Sequence, residues 1–221
     1  MKHITVPLIP QLDSESDYNN ICNSLRDAGT RDVIDSVNWP EVAAYAPEAV
    51  FHIAHSGEKI YILFDNLGLG LKAVNTDNQS PVSQDSCVEF FVQPRTDNPR
   101  YWNFEFNAIG AVNSSHRETR PEPTRLNNAE IQRIIRFSSV GTEPFDEKGG
   151  LQAWSLLVAI PLELMGIKFN NRPIEMRANF LKCGSKTLNP HYLSWSPIST
   201  EKPDFHQIQY FGSMTLESKQ V

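Results

Sequence analysis

From about residue 50 onward the chain is a succession of short runs rich in β-branched and aromatic residues, separated by clusters of Gly, Pro, Asn and Asp. Such runs, bounded by turn formers, predict strands. The clearest pair is residues 49–55 and 60–65, joined across Ser56-Gly57-Glu58-Lys59 as a hairpin. Further strands are expected at 69–74, 87–93, 101–112, 131–138, 152–160, 174–182, 192–196 and 211–216. Residues 75–86 and 113–129 are polar and read as loops long enough to carry a binding function.

Helical periodicity is sparse. Residues 17–28 place Ile21, Cys22 and Leu25 on one face, start after Ser16 and stop at Gly29, which predicts a short capped helix. Residues 161–166 carry Pro in the first turn and Gly at the stop, a single turn closing a strand. With few helical periods between so many strands, βαβ units are excluded. The expected fold class is all-β, an antiparallel β-sandwich of two packed sheets with a short N-terminal helical extension. Residues 1–34 are expected as that extension, packed on the sandwich, and residues 35–221 as the sandwich domain.

Side chains alternate across a strand, so parity sorts them onto faces. In the 101–112 run, Trp102, Phe104, Phe106 and Ala108 are apolar and should face the core, leaving Tyr101, Asn103, Glu105 and Asn107 on the other side. Residues 176–180 repeat the pattern, with Met176, Ala178 and Phe180 inward and Arg177 and Asn179 outward. Solvated outer faces would be polar in any sandwich. Here, however, the polar set lacks Lys and consists of amides, a carboxylate and a guanidinium, groups that donate and accept in fixed planar geometry as vicinal sugar hydroxyls require. An aromatic ring beside them would stack on the C–H face of a pyranose.

Four tryptophans are candidates for that platform. Trp154 shares parity with Leu156, Val158 and Ile160 and reads as core. Trp102 stands at a strand end, where core and rim are both open, and Trp39 precedes Pro40 at the edge of the sandwich. Trp195 is flanked by Ser194, Ser196 and Pro197, where an exposed ring would be tolerated.

Composition narrows the function classes. The 221 residues carry 20 Lys and Arg against 26 Asp and Glu, a net charge of −6 with no basic run, so no nucleic-acid partner is expected. No window approaches the roughly 18 to 20 uninterrupted apolar residues of a membrane helix, and no membrane partner is expected. Pro7, Pro10 and Thr5 interrupt the first ten residues, so no secretion signal is expected in this chain, and the compartment stays open, as does the oligomeric state. Cys22, Cys87 and Cys183 are odd in number and at no metal-ligand spacing, and they read as small buried thiols.

The order of segments adds a further signal. The succession 85–92, 101–110, Trp154 through Pro161 and Leu164, Arg177-Ala178-Asn179-Phe180, Trp195-Ser196-Pro197, Phe205-His206 and Phe211-Gly212 resembles the family 9 carbohydrate-binding modules, over residues 35–217. The resemblance implies a β-sandwich that binds mono- or oligosaccharides without cleaving them, often as an accessory to xylan- or cellulose-degrading hydrolases. It also implies a sugar clamped between aromatic rings and calcium as a structural ion. Carried onto this chain, it makes Trp195 the platform, Tyr101 or Trp102 the second wall, and Glu105, Arg177 and Asn179 the rim, with His206 matching the family pattern. Asp65, Asp77 and Asp85 are the candidate oxygen donors for calcium.

Three rival readings are carried forward. Glu89 and Glu105 are candidate neighbours across strands and would suffice as the carboxylate pair of a glycoside hydrolase. A haem-binding sandwich would need a Met and a His, yet Met176 is in core parity without an identifiable partner, and His52 and His55 flank a hairpin where exposure is expected. A protein-interaction module would use an exposed sheet edge or aromatic patch.

Overall fold

A computed structural model of the chain describes residues 2–219. In chain order its strands are β1 (His3–Val6), β2 (Thr30–Val33), β3 (Ser36–Val37), β4 (Glu48–His55), β5 (Lys59–Ala73), β6 (Cys87–Gln93) and β7 (Tyr101–Asn107). There follow β8 (Val112–Arg117), β9 (Thr124–Arg125), β10 (Ile135–Ser138), β11 (Phe145–Pro161), β12 (Ile174–Cys183), β13 (Tyr192–Ser194) and β14 (Gly212–Leu216). Helix α1 spans Tyr18–Ala28 and α2 spans Asn128–Gln132. Among the described residues no helix is long and apolar enough to cross a membrane.

The strands form two sheets. The larger runs β1-β14-β12-β6-β7-β8-β9, with β13 and β3 attached beside β12, and the smaller runs β10-β11-β5-β4-β2. All pairings are antiparallel except that of β1 with β14. The expected all-β sandwich is therefore the fold.

The two sheets are joined by an apolar layer to which β4, β5 and β11 contribute from one side and β6, β7, β12 and β14 from the other. At its centre Phe51 of β4 stacks on Phe180 of β12 with ring centroids 3.8 Å apart, and Phe180 lies against Phe90 at 5.1 Å. Strands with an apolar set on only one face would leave the reverse sides wet. In β5 and β11, however, both parities are apolar, and α1 supplies the second cover. Ile21, Cys22 and Leu25 of α1 pack on Ala54, Tyr61, Leu63, Leu157 and Ala159. The Asp17 side chain caps the helix at the Asn19 amide, and the Arg26 fork clasps both oxygens of Asp65 on β5. The reverse face of the larger sheet is covered by residues 195–211, which bury Trp39, Phe91, Tyr101, Leu181, Ile198 and Phe211.

Several expectations are corrected. The first 34 residues are more than an extension, because β1 extends the larger sheet and β2 the smaller. The run expected as one strand over 101–112 folds back at Asn107. There the Asn107 carbonyl accepts from Gly110 N–H at 2.9 Å, Gly110 has φ +83°, and β8 returns through what was expected as loop. Within that loop Asn127 and Glu130 form a capping box for α2, an Asn-x-x-Glu signal present in the sequence. His52 and His55, expected at the surface, are buried, His52 beneath α1 and His55 with Nε2 against the Glu217 carbonyl.

Trp195 anchors residues 195–211. It is fully buried among Phe51 and Phe180, and its Nε1–H donates to Asp32 Oδ2 at 2.6 Å. Gly212 of β14 lies flat against that ring, and a Cβ there would fall within contact of Trp195 and of the Lys2 carbonyl. Gly212→Ala should therefore lower unfolding free energy by about 1–3 kcal/mol as overpacking, measured by denaturant titration; an unchanged midpoint would contradict the packing.

Candidate functional site

The outer face of the larger sheet carries the odd-numbered side chains of β6, β7, β8 and β12. Cross-strand register lines them up: Cys87 opposite Asn107 and Cys183, Glu89 opposite Glu105, and Phe91 opposite Asn103 and Asn179. On the far side of β7, Glu105 faces Asn113 and Asn103 faces Ser115. The face is polar as the alternation predicts, but it is not a solvated surface. Asn103, Asn107 and Asn179 are fully buried, and Glu89 is 2% exposed.

Where residues 195–211 do not seal this face, a hollow of about 170 Å³ remains. Its lining includes Glu89, Phe91 and Glu105 from the sheet, Cys183 at the end of β12, and Tyr192 of β13. Asp204, Phe205 and His206 come from the covering segment and Arg120 from the turn after β8. A second depression shares Glu105, Arg120 and His206 and runs on over Asn113, Ser115, Arg117 and Arg125, so the two form one groove.

The polar side chains around Glu105 are held by their neighbours. Asn103 Nδ2 donates to Glu105 Oε1 at 2.9 Å and Asn113 Nδ2 to Glu105 Oε2 at 3.0 Å. Asn103 Oδ1 in turn accepts from Ser115 Oγ at 2.7 Å and Arg117 Nη2 at 3.1 Å. Arg120 pairs with Asp204 at 2.9 Å across the mouth. The rings are grouped as well. Phe91 and His206 lie 4.9 Å apart, Tyr192 and Phe205 meet edge to face at 6.4 Å, and Trp39 backs Phe205 at 5.8 Å.

Burial sets the protonation chemistry. Glu105 is pushed above the usual carboxylate range by burial, against the opposing pull of its Asn113 hydrogen bond and of Arg117. Glu89 is raised further, by burial first and then by the nearby Cys183 and Glu105. Burial, then Arg117 and Arg120, lower His206 to about 3. Tyr101 is raised to about 12, chiefly by burial, and its hydroxyl lies 3.0 Å from His206 Nδ1.

Of the side chains expected at the site, Glu105 and His206 line the groove. Tyr101 is buried and positions His206. The others are corrected. Trp195 is core, with no face open to a ligand, because its small neighbours accommodate a buried ring. Trp102 lies in the main core beside His116, as its parity with Phe104 and Phe106 requires. Asn179 spends its amide on the Ser196 backbone, donating to the carbonyl at 2.9 Å and accepting from N–H at 2.8 Å. Arg177 donates to the Phe211 carbonyl at 2.9 Å and the Gln209 carbonyl at 3.2 Å. These two residues fasten the covering segment. Sequence reasoning missed Tyr192 and Phe205 as ring walls and Arg120 and Asp204 as the mouth; Phe205 carried the one available signal, its place beside His206.

The candidate calcium donors Asp65, Asp77 and Asp85 form no three-ligand cluster. Asp65 is taken by Arg26 and Ser155, while Asp85 Oδ2 accepts from the Val74 and Asn75 amides and from the Asn75 and Asn107 side chains. Asp85 Oδ1 has no partner, but it is a single donor. The one cluster of three ligand-type side chains among the described residues is Cys87, Glu89 and Cys183.

The chain is thus a two-sheet sandwich with a polar, ring-walled groove on the outer face of one sheet. The sequence profile of carbohydrate-binding family 9 matches residues 25–216, and the chain belongs to that family. It is similar along its whole length to a candidate carbohydrate-binding protein of known structure from Bacteroides uniformis. That likeness has 31% identity, covers 98% of this chain and 99% of the other, and reaches a TM-score of 0.90. A family 9 module from Caldicellulosiruptor kristjanssonii in complex with glucose shares the fold at 15% identity, TM-score 0.59, with 99% and 97% of the chains covered. A family 9 module from the same organism in complex with cellotriose gives 14% identity and TM-score 0.60 over 99% and 95%. No curated protein matches the chain by sequence.

Because His206 is held neutral, it contributes stability that is present above its unfolded pKa of about 6.5 and is lost as pH falls toward 3. The stability advantage of the wild-type chain over His206→Asn should therefore shrink between pH 7 and pH 5 in denaturant titrations. The raised carboxylates act in the opposite sense and cancel in the comparison. A constant difference would contradict a neutral, half-buried imidazole.

Proposed function

We propose that the chain binds a mono- or oligosaccharide in the groove over β6, β7 and β8 without cleaving it. The observation that carries this reading is the meeting, in one hollow, of flat rings (Phe91, Tyr192, Phe205, His206) with fixed hydrogen-bonding groups (Glu105, Arg120, Asp204). A pyranose lodged there offers its C–H face to Tyr192 and Phe205 and its hydroxyls to Glu105 and Asp204, which accept, and to Arg120, which donates. Membership of family 9, together with the glucose and cellotriose complexes of remote relatives, supports a glucose-type ligand. In this reading the chain is an accessory to polysaccharide breakdown.

Water-exposed hydrogen bonds contribute only about 0.5–1.5 kcal/mol each, so affinity should be modest. Titration calorimetry against glucose, cello-oligosaccharides and xylo-oligosaccharides should give saturable binding. Glu105→Ala and Tyr192→Ala should each weaken it at least tenfold, about 1.4 kcal/mol, whereas a folded Trp195→Phe should bind as the wild type does. Unchanged affinity in both groove variants would overturn the reading.

One observation favours hydrolysis instead. Glu89 and Glu105 face each other across adjacent strands, and both are raised in pKa. Against it, both oxygens of Glu105 are tied to asparagine amides and Glu89 faces two thiols. Wild-type protein should release no aglycone from aryl glycosides; turnover abolished by Glu105→Gln would make it an enzyme.

A further inference from the structure

Cys87 and Cys183 lie directly opposite each other on β6 and β12, on the outer face of the larger sheet, and Glu89 is two residues further along that same face. Cys183 Sγ–H donates to Glu89 Oε1 at 3.0 Å, Cys87 Sγ–H reaches the same oxygen at 3.8 Å, and one donor atom from each of the three lies within 4.8 Å of the others. All three side chains are buried, the thiols are free, and Glu89 and Cys183 line the hollow. We propose that these three side chains bind a thiophilic divalent cation, zinc in the first instance, whose fourth position opens into the hollow.

The chemistry of the donors selects the metal. Two thiolates and one carboxylate oxygen suit tetrahedral zinc rather than calcium or magnesium, which take oxygen ligands. Four-coordinate zinc, with Zn–S about 2.3 Å and Zn–O about 2.0–2.2 Å, sets neighbouring ligand atoms roughly 3.3–3.8 Å apart, and the two contacts above bracket that spacing closely. Binding releases the two thiol protons, together with any proton held by the raised Glu89 carboxyl, to solvent, with nothing oxidised. Three negative ligands against two positive charges leave one negative charge in excess. The Lys182 amine on the reverse of β12, which donates to the Cys183 carbonyl at 3.0 Å, is placed to offset it. The hollow gives an ion its route in, and Val82 and Ala111 pack around the thiols on the far side. The site does not depend on the saccharide reading.

The test uses the full chain, reduced and treated with chelator, and titrates Zn²⁺ in competition with a chromophoric chelator. One zinc per chain is expected, with affinity lowered at least about a hundredfold in Cys87→Ser and in Cys183→Ser and about tenfold in Glu89→Gln. Cobalt in place of zinc should give a thiolate-to-metal charge-transfer band that both serine variants lose. Should those variants fail to fold, the wild-type chain still answers. Bound zinc should protect two of its three cysteines, Cys87 and Cys183, from alkylation, located by peptide mass. The proposal is overturned by the absence of stoichiometric zinc binding, by zinc binding that persists unchanged in folded serine variants, or by equal alkylation of the two thiols with and without zinc. None of these readouts involves sugar, so failure here and failure to bind saccharide are separate results.

Discussion

The groove depends on the paired hydrogen bonds between the Asn179 amide and the Ser196 backbone. Residues 195–211 have almost no regular structure of their own, so their backbone groups need partners wherever the segment crosses the sheet. Asn179 satisfies one N–H and one C=O at Ser196, Arg177 takes the carbonyls of Gln209 and Phe211, and Trp195 pins the start of the segment through Asp32. Held at both ends, the segment lowers Phe205, His206 and Asp204 over β6 and β7 and leaves the hollow beneath them. A buried amide with both its groups engaged is costly to disturb, because truncation strands backbone groups away from water. The site wall is thus tied at three points to the strands it crosses.

Much of the scaffold was legible. Period-two alternation located β4, β6 and β12 closely, and the parity of Trp102 through Ala108 assigned the inward face correctly. The short strands β1, β2, β3 and β9 were not legible, since two to four residues carry too little alternation to register. Nor was the turn at Asn107 to Gly110, where apolar Ala108 and Ile109 continued the strand-like pattern through the bend. Both are buried, so the turn itself packs into the core.

The site was legible in its chemistry and less so in its assignments. Local sequence identified a polar face bearing Glu105, Arg177 and Asn179, but it could not say which of these groups a distant segment would claim. Asn179 and Arg177 are spent on partners seventeen and more residues away. Trp195 misleads for a related reason. Its small neighbours suggested exposure, yet Gly212, from another strand, makes the room that buries it. Cys87 and Cys183 meet only through the register of β6 against β12, ninety-six positions apart in the chain and therefore at no recognisable spacing.

Helix α1 also bears on where the domain can be cut. The stripe formed by Ala54, Tyr61, Leu63, Leu157 and Ala159 crosses the three central strands of the smaller sheet and is dry only because α1 lies over it. A fragment starting at residue 35 would keep the strands that floor the groove but lose β1 and Asp32, the partner of the Trp195 indole. It would also uncover that greasy strip and, with β2 gone, bare the backbone of β4 beside it, a surface poised for self-association. Shortening the chain to its apparent binding unit would trade a covered surface for an adhesive one.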